Sequence, residues 1–290
     1  MLALREDGTV WTWGSNSSGQ LGYESPADCG SRGTSLCQRV PTQVPSVEGA
    51  VAIAAGFEHS LVLLESGRVL SFGSNEEGQL GRVTADEFDA TPAEVDGLTD
   101  VVQLAAGSDT TFAVTASGEL YAFGSNQEGQ LGQGDLDDDA PVAPVLVDVP
   151  AVAHVAASNR SVLALLIDGT VLGWGHNHRG QVGVGSEEDN ILAPTQVINN
   201  DGPLAGVVLV FGDGFVSGAL GEDGSVWMWG MGSLGQLGQG ALDDGERDLE
   251  NRNIASLVPV ADVDRELFDI REAELGAGGP TLALADNGDL

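Results

Sequence analysis

Lysine is absent: all 11 basic residues of the chain are arginine. That removes Schiff-base chemistry, a phosphate-loop lysine and a lysine general base from consideration. Cations of any kind are few, 11 against 44 carboxylates, and the formal net charge is −33. Docking on the phosphate backbone of DNA or RNA needs clustered cations and released counterions, so no nucleic-acid partner is expected. Adsorption to an anionic membrane surface is disfavoured for the same reason. A basic protein partner, or divalent cations, would suit such a surface. The same acidity also serves simply to keep a protein soluble. A salt-rich cytoplasm favours this composition too, so charge does not fix the compartment.

Cysteine is scarce as well. Cys29 and Cys37 stand eight positions apart in one loop, Cys29-Gly-Ser-Arg-Gly-Thr-Ser-Leu-Cys37. Flanked by turn formers, they are expected to close a small disulfide loop, with unpaired thiols as the alternative. Zinc would need third and fourth ligands that the neighbourhood lacks. A disulfide implies an oxidising compartment, hence an extracellular or cell-envelope protein, with the cytoplasm as alternative. Long apolar runs are missing, and none approaches the ~20 residues of a membrane-spanning helix, so no membrane insertion is expected. No signal peptide is visible; Met1-Leu2-Ala3-Leu4-Arg5-Glu6-Asp7-Gly8 already reads as the middle of a repeat. The two expectations agree if the sequence is a piece of a longer secreted chain.

Glycine is what the chain has in excess: 42 of 290 residues, about twice the ordinary usage. Proline, at 11, is not in excess. That pattern points to many tight turns rather than to collagen or a linker. The glycines recur in a fixed string. Trp13-Gly14-Ser15-Asn16-Ser17-Ser18-Gly19-Gln20-Leu21-Gly22 returns as Phe72-Gly73-Ser74-Asn75-Glu76-Glu77-Gly78-Gln79-Leu80-Gly81. It returns again from Phe123-Gly124 to Gln130-Leu131-Gly132, from Trp174-Gly175 to Gln181-Val182-Gly183, and from Trp229-Gly230 to Gln236-Leu237-Gly238. Gly14, Gly73, Gly124, Gly175 and Gly230 are spaced by 59, 51, 51 and 55 residues. Six residues before each stands a turn dipeptide: Asp7-Gly8, Ser66-Gly67, Ser117-Gly118, Asp168-Gly169 and Asp223-Gly224. Such a dipeptide between two apolar runs is a hairpin signal. Ser161-Val162-Leu163-Ala164-Leu165-Leu166 before it and Glu119-Leu120-Tyr121-Ala122-Phe123 after it read as strands. Val101-Val102-Gln103-Leu104-Ala105-Ala106 is a strand further upstream, and a weaker one follows the variable loop near Pro194-Thr195-Gln196-Val197. Four short antiparallel strands per unit, with no convincing helix, predict an all-β chain built as a β-propeller of four-stranded blades. The units run approximately 1–49, 50–100, 101–151, 152–205 and 206–270, with a partial unit at 271–290.

The pattern Asp-Gly-x-Val-aromatic-x-aromatic-Gly-x-Asn-x-x-Gly-Gln-Leu-Gly, preceded by Ala54-Ala55-Gly56-Phe57-Glu58-His59-Ser60-Leu61, resembles the regulator of chromosome condensation repeat. The resemblance covers nearly the whole chain. It implies a propeller, usually of seven blades. WD-repeat and kelch propellers fit less well, because their marker residues are absent. About five blades are visible, with partial ones at the ends. The ending Leu282-Ala283-Leu284-Ala285-Asp286-Asn287-Gly288 repeats the phase of the beginning. A single propeller domain, cut mid-blade at both ends from a seven-bladed ring, is the expectation.

Most repeated residues read as structural. Gln20, Gln79, Gln130, Gln181 and Gln236 lie between glycines, where a side-chain amide can bond the backbone of a tight turn. Asn16, Asn75, Asn126 and Asn177 read the same way, with Gly232 in the fifth copy. Trp11, Trp13, Trp174, Trp227 and Trp229 lie in the hairpin strands and are expected to pack between blades rather than serve as carbohydrate platforms. His59 is expected to be buried and hydrogen-bonded. His176 and His178 flank Asn177 and could share a metal, but no third ligand is placed. Asp135, Asp137 and Asp139 put carboxylates at alternate positions, as calcium loops do. Ala140 and Leu146 stand where an EF-hand needs Gly and Glu, so calcium is a weak candidate beside an ordinary solvated loop, and no other cofactor is expected.

No nucleophile elbow, zinc-protease motif or phosphate loop occurs. The leading reading is a non-enzymatic scaffold for protein–protein interaction, a monomer that binds a protein partner, a basic one suiting the charge, through loops that vary while the strands repeat. The resemblance implies an alternative, a guanine nucleotide exchange factor for a small GTPase. No exchange-face residue can be carried over, since those lie outside the shared repeat.

Overall fold

The computed structural model describes residues 1–25, 36–136, 143–238, 252–258, 270–275 and 281–285. No helix occurs among the described residues. The chain divides into two compact units, Met1–Gln127 with Asp137–Asp148, and Glu128–Leu136 with Val149–Leu290.

The first unit holds three sheets. β1 (Leu2–Leu4), β2 (Val10–Ser15) and β3 (Cys37–Gln43) form one. β4 (Ala50–Ala55), β5 (His59–Leu64), β6 (Val69–Ser74) and β7 (Phe88–Glu94) form the second, in sequence order. β8 (Val101–Ala106), β9 (Thr110–Thr115), β10 (Leu120–Gly124) and β11 (Val145–Leu146) form the third. The second unit repeats the plan. β12 (Val152–Ala157), β13 (Ser161–Leu166), β14 (Val171–His176) and β15 (Asn190–Gln196) make one meander. A small hairpin, β16 (Ile198–Asn199) with β17 (Gly202–Pro203), follows it. β18 (Val207–Asp213), β19 (Val216–Gly221), β20 (Val226–Gly230) and β21 (Arg252–Leu257) make the next meander, and β22 (Ile270–Leu275) pairs with β23 (Thr281–Ala285). All pairings are antiparallel, and the repeated four-stranded meanders are the blades of a β-propeller. The sheet β1–β2–β3 corresponds to the second, third and fourth strands of the pattern.

The second strand of each four-stranded sheet is buried along almost its whole length, as in Ser161–Leu166. Its near-continuous apolar run is what a strand covered on both faces requires. The first strands break the period of two. Each carries a bulge, between Ala50 and Ala52, Val101 and Gln103, Val152 and His154, and Val207 and Leu209. The extra residue is turned out, which leaves Val51, Val102 and Val208 about half exposed. The hairpin turns are closed by their own side chains. Asp168 Oδ1, for example, accepts from Thr170 N at 3.0 Å and Thr170 Oγ1 at 2.6 Å.

Adjacent blades meet at the repeated aromatic. Phe72 packs with Val10, Val44 and Val47 of the preceding sheet. Phe123 packs with Leu63, Val69, Val95 and Leu98. Trp229 packs with Leu163, Leu165, Val171 and Val197. Burying one such ring withdraws on the order of 200 Å² from water, roughly 5 kcal/mol. The last glycine of the first four Gly-Gln turns lies against that ring. A Cβ on Gly183 would stand 2.5 Å from Trp229 Nε1, and Gly183 has φ +80°. Neither the ring nor the backbone tolerates a side chain there.

His59 opens β5 and is buried. Its Nε2 lies 3.0 Å from Thr111 Oγ1, which itself donates to the Gln79 carbonyl at 2.9 Å. Thr111 therefore accepts from His59 Nε2–H, and the bare Nδ1 has no partner. Protonating Nδ1 would bury an unsatisfied donor, and burial pushes the imidazole pKa down from 6.5 to about 4. Between those values the unfolded chain takes up a proton that the folded chain refuses, so stability falls as pH falls from 6.5 towards 4. The loss is about 3 kcal/mol. The equivalent residue of the next blade is Thr110. His59→Thr should therefore be less acid-sensitive than wild type by about 3 kcal/mol between pH 7 and pH 4. Urea unfolding at both pH values measures the difference, and identical pH dependence in the two proteins would contradict it.

Candidate binding rim

One end of each four-stranded sheet is built from two elements: the loop joining the first strand to the second, and the Gly-Gln turn after the third. The turn's backbone is wired in the same way from blade to blade, with an asparagine in the first four copies and Gly232 in the fifth. Asn75 Oδ1 accepts from Leu80 N at 3.0 Å, while Asn75 Nδ2 donates to Arg82 O at 3.0 Å. Asn16 holds Leu21 N at 2.9 Å and Asn177 holds Val182 N at 3.1 Å in the same way. The glutamine carbonyl oxygen accepts from the backbone N–H two residues earlier. This occurs at Gln20–Ser18, Gln79–Glu77, Gln130–Glu128, Gln181–Arg179 and Gln236–Leu234, at 2.7 to 3.0 Å. The main-chain carbonyls of these glutamines reach the next blade. Gln20 O accepts from Ser60 Oγ at 2.9 Å, Gln130 O from Trp174 Nε1 at 2.8 Å, and Gln181 O from Trp229 Nε1 at 3.0 Å and Ser217 Oγ at 2.7 Å.

This wiring fixes the backbone and frees the two residues before the turn's central glycine. They are Ser17-Ser18, Glu76-Glu77, Gln127-Glu128, His178-Arg179 and Ser233-Leu234. The residue before each second strand is equally constrained in backbone only. The carbonyls of Glu58, Asp109, Arg160 and Phe215 lie where a side chain on Gly73, Gly124, Gly175 or Gly230 would be, so those glycines are obligatory while the four side chains vary. In the first unit the rim is acidic and polar. Ser18 Oγ donates to Glu58 Oε2 at 3.1 Å, Gln127 Nε2 donates to Glu77 Oε1 at 3.4 Å, and Phe57 is 79% exposed.

The second unit's rim is different. Arg160 pairs with Glu128 at 3.0 Å. His176 Nε2 and His178 Nδ1 are 3.1 Å apart, and the Phe215 ring meets both imidazoles edge-on at 6.0 and 5.7 Å. Gln181 fixes the protons. Its Oε1 is taken by Arg179 N, so its Nε2 donates to His176 Nδ1 at 3.1 Å. His176 therefore carries its proton on Nε2 and donates to His178 Nδ1, leaving His178 Nε2–H directed outward. Burial, followed by the Glu128 charge acting the other way, sets the His176 pKa, and the net shift is downward. A metal on His176 Nε2 would force a proton onto Nδ1, against the Gln181 donor. The pair is thus wired as a donor relay, not a metal site.

Gly14, Gly73, Gly124, Gly175 and Gly230 all take positive φ, between +92° and +116°. Cys37 opens β3 and is buried. Cys29, Asp137 and Asp139 lie outside the described residues, and Asp135 is exposed. Among the described residues no cluster of three potential metal ligands occurs, and no helix is long and apolar enough to cross a membrane. Sequence reasoning missed Glu58, Asp109, Arg160 and Phe215 as a set. Their signal is a fixed place before the second strand rather than a shared residue type.

The chain matches the RCC1-like domain family over residues 2–290. It is 32% identical over 272 residues to the ultraviolet-B receptor UVR8 of Arabidopsis thaliana, covering 91% of this chain and 56% of that protein. It thus spans about half the length of that relative. Human WBSCR16 is similar in structure, with a TM-score of 0.76 and 24% identity over 98% of this chain and 71% of its own. Prp20p of Saccharomyces cerevisiae, described with its binding to Gsp1p and histones, superposes with a TM-score of 0.71 and 24% identity, covering 89% of this chain and 61% of its own. With the family match running along its length and the Gly-Gln turn repeated in each blade, the chain belongs to the RCC1-like domain family.

Proposed function

We propose that the chain is a non-enzymatic propeller module that binds a protein partner on the rim formed by the first loops and the Gly-Gln turns. One observation carries the reading. The turn hydrogen bonds repeat from blade to blade, whereas the two side chains they present run from Ser17-Ser18 through Glu76-Glu77 to His178-Arg179. A scaffold held constant beneath side chains that change is what a recognition surface requires. The acidic first-unit rim, with Glu58, Glu76, Glu77 and Asp109, suits a basic partner surface. The reading calls for no cofactor and takes the chain as a monomer.

The experiment is affinity capture from source-cell extract at 0.15 M salt. Wild type is compared with a rim variant (Glu58→Gln, Glu76→Gln, Glu77→Gln, Asp109→Asn) and a control altered at the other end of the sheets (Glu65→Gln, Asp96→Asn). A partner held by wild type and control, but lost by the rim variant, is the expected result. Capture that ignores the rim would overturn the reading.

Guanine nucleotide exchange is the second reading, favoured by the family and by the described binding of Prp20p to Gsp1p. Release of fluorescent GDP from Gsp1p separates the two. The scaffold reading expects no acceleration by catalytic amounts of this protein, and clear acceleration would replace it with the exchange reading.

We propose that Cys29 and Cys37 are joined in an extracellular or cell-envelope protein. Alkylation without reductant should then label neither cysteine, and labelling of both would contradict the pairing.

A further inference from the structure

Arginine is scarce in this chain and carboxylates are plentiful, so an arginine without an acid beside it is unexpected. Arg5 bridges Asp7, Arg68 bridges Glu94, Arg82 bridges Asp89 and Arg160 bridges Glu128. Arg39 and Arg252 are also engaged. Arg179, which is exposed, has no carboxylate within ion-pair distance among the described residues.

Its place in the repeat explains why. Arg179 occupies the turn position of Ser18 and Glu128. Ser18 finds Glu58 on the following sheet, at 3.1 Å, and Glu128 finds Arg160, at 3.0 Å. Behind Arg179 the following sheet carries Phe215 at that position, which offers a ring and no charge. The neighbouring His178 presents Nε2–H, because the Gln181–His176–His178 relay fixes its tautomer. Two adjacent residues thus offer donors only, beside the edge of an aromatic ring.

We propose that Arg179, with His178 Nε2–H and the Phe215 ring, is a docking point for an acidic peptide segment of a partner protein, whose carboxylate plays the part that Glu58 plays beside Ser18 three repeats earlier. The guanidinium fork matches a carboxylate bidentately. The net charge of −33 disfavours a long polyanion such as nucleic acid, which must lie along many acidic residues at once. A short segment avoids this, since at 0.15 M salt exposed charges beyond about 8 Å are largely screened. The proposal rests on the rim reading above and deepens it.

Fluorescence anisotropy with fluorescein-labelled tetraglutamate at pH 7.4 and 0.15 M salt tests it. Wild type should bind. Arg179→Glu should weaken binding about tenfold or more, and Arg179→Lys, which keeps the charge but not the fork, by about threefold. Arg5→Glu, at the other end of the sheets, should leave binding unchanged, and thermal melts should show all variants folded. No binding by wild type, equal loss in Arg5→Glu, or tighter Arg179-dependent binding of labelled oligothymidylate would overturn the proposal. A captured partner that depends on the acidic rim but survives Arg179→Glu would leave the rim reading standing and remove this one.

Discussion

Where two blades meet, the glycine that ends one Gly-Gln turn lies against the aromatic ring of the next blade's third strand. A Cβ would fall within 3.0 Å of the ring at Gly22–Phe72, Gly81–Phe123, Gly132–Trp174 and Gly183–Trp229. The ring supplies the energy of the contact, roughly 5 kcal/mol of burial, and the glycine supplies the closeness. The adjoining glutamine carbonyl sets the register, for about 1 kcal/mol per hydrogen bond. Burial therefore dominates, and where the ring is Trp174 or Trp229 the hydrogen bond decides which way it sits.

That carbonyl is never left without a donor where the neighbouring blade is described. Where the ring is Phe72 or Phe123, which cannot donate, the second strand provides Ser60 or Thr111. Where the ring is Trp174, its indole donates and the second strand carries Val162 instead. Gln181 O receives both kinds of donor, from Trp229 and Ser217. A difference between repeats that looks like drift in the sequence is a substitution of one donor for another at a buried acceptor.

The strands, their order and the hairpin turns were legible because period-two runs and turn dipeptides are local signals, as in Ser66-Gly67 between β5 and β6. The bulge that turns out Val51 and Val102 was not, since the residues on either side are equally apolar. Nor was the β16–β17 hairpin, which absorbs part of the longer fourth spacing in a segment without strong strand formers. The five glutamines announced themselves by repetition, and repetition marked them as scaffold. The rim residues Glu58, Asp109, Arg160 and Phe215 are not of one residue type, so only their fixed place before the second strand joins them. His176 and His178 drew attention as metal ligands. The Gln181 amide, whose orientation depends on a backbone N–H, makes them donors instead.

The proposed binding rim depends on that separation of duties, since side chains can vary there only if the turn beneath them is held by the blade junction. A double-mutant cycle on Gly183 and Trp229 tests the junction directly. Gly183→Ala should cost about 3 kcal/mol in wild type, from overpacking plus a positive φ, and about 1 kcal/mol in a Trp229→Leu background, where only the backbone strain remains. Chemical denaturation should thus give a coupling of about 2 kcal/mol. Costs that add to within about 0.5 kcal/mol would show that the glycine and the ring act independently, and would contradict the account.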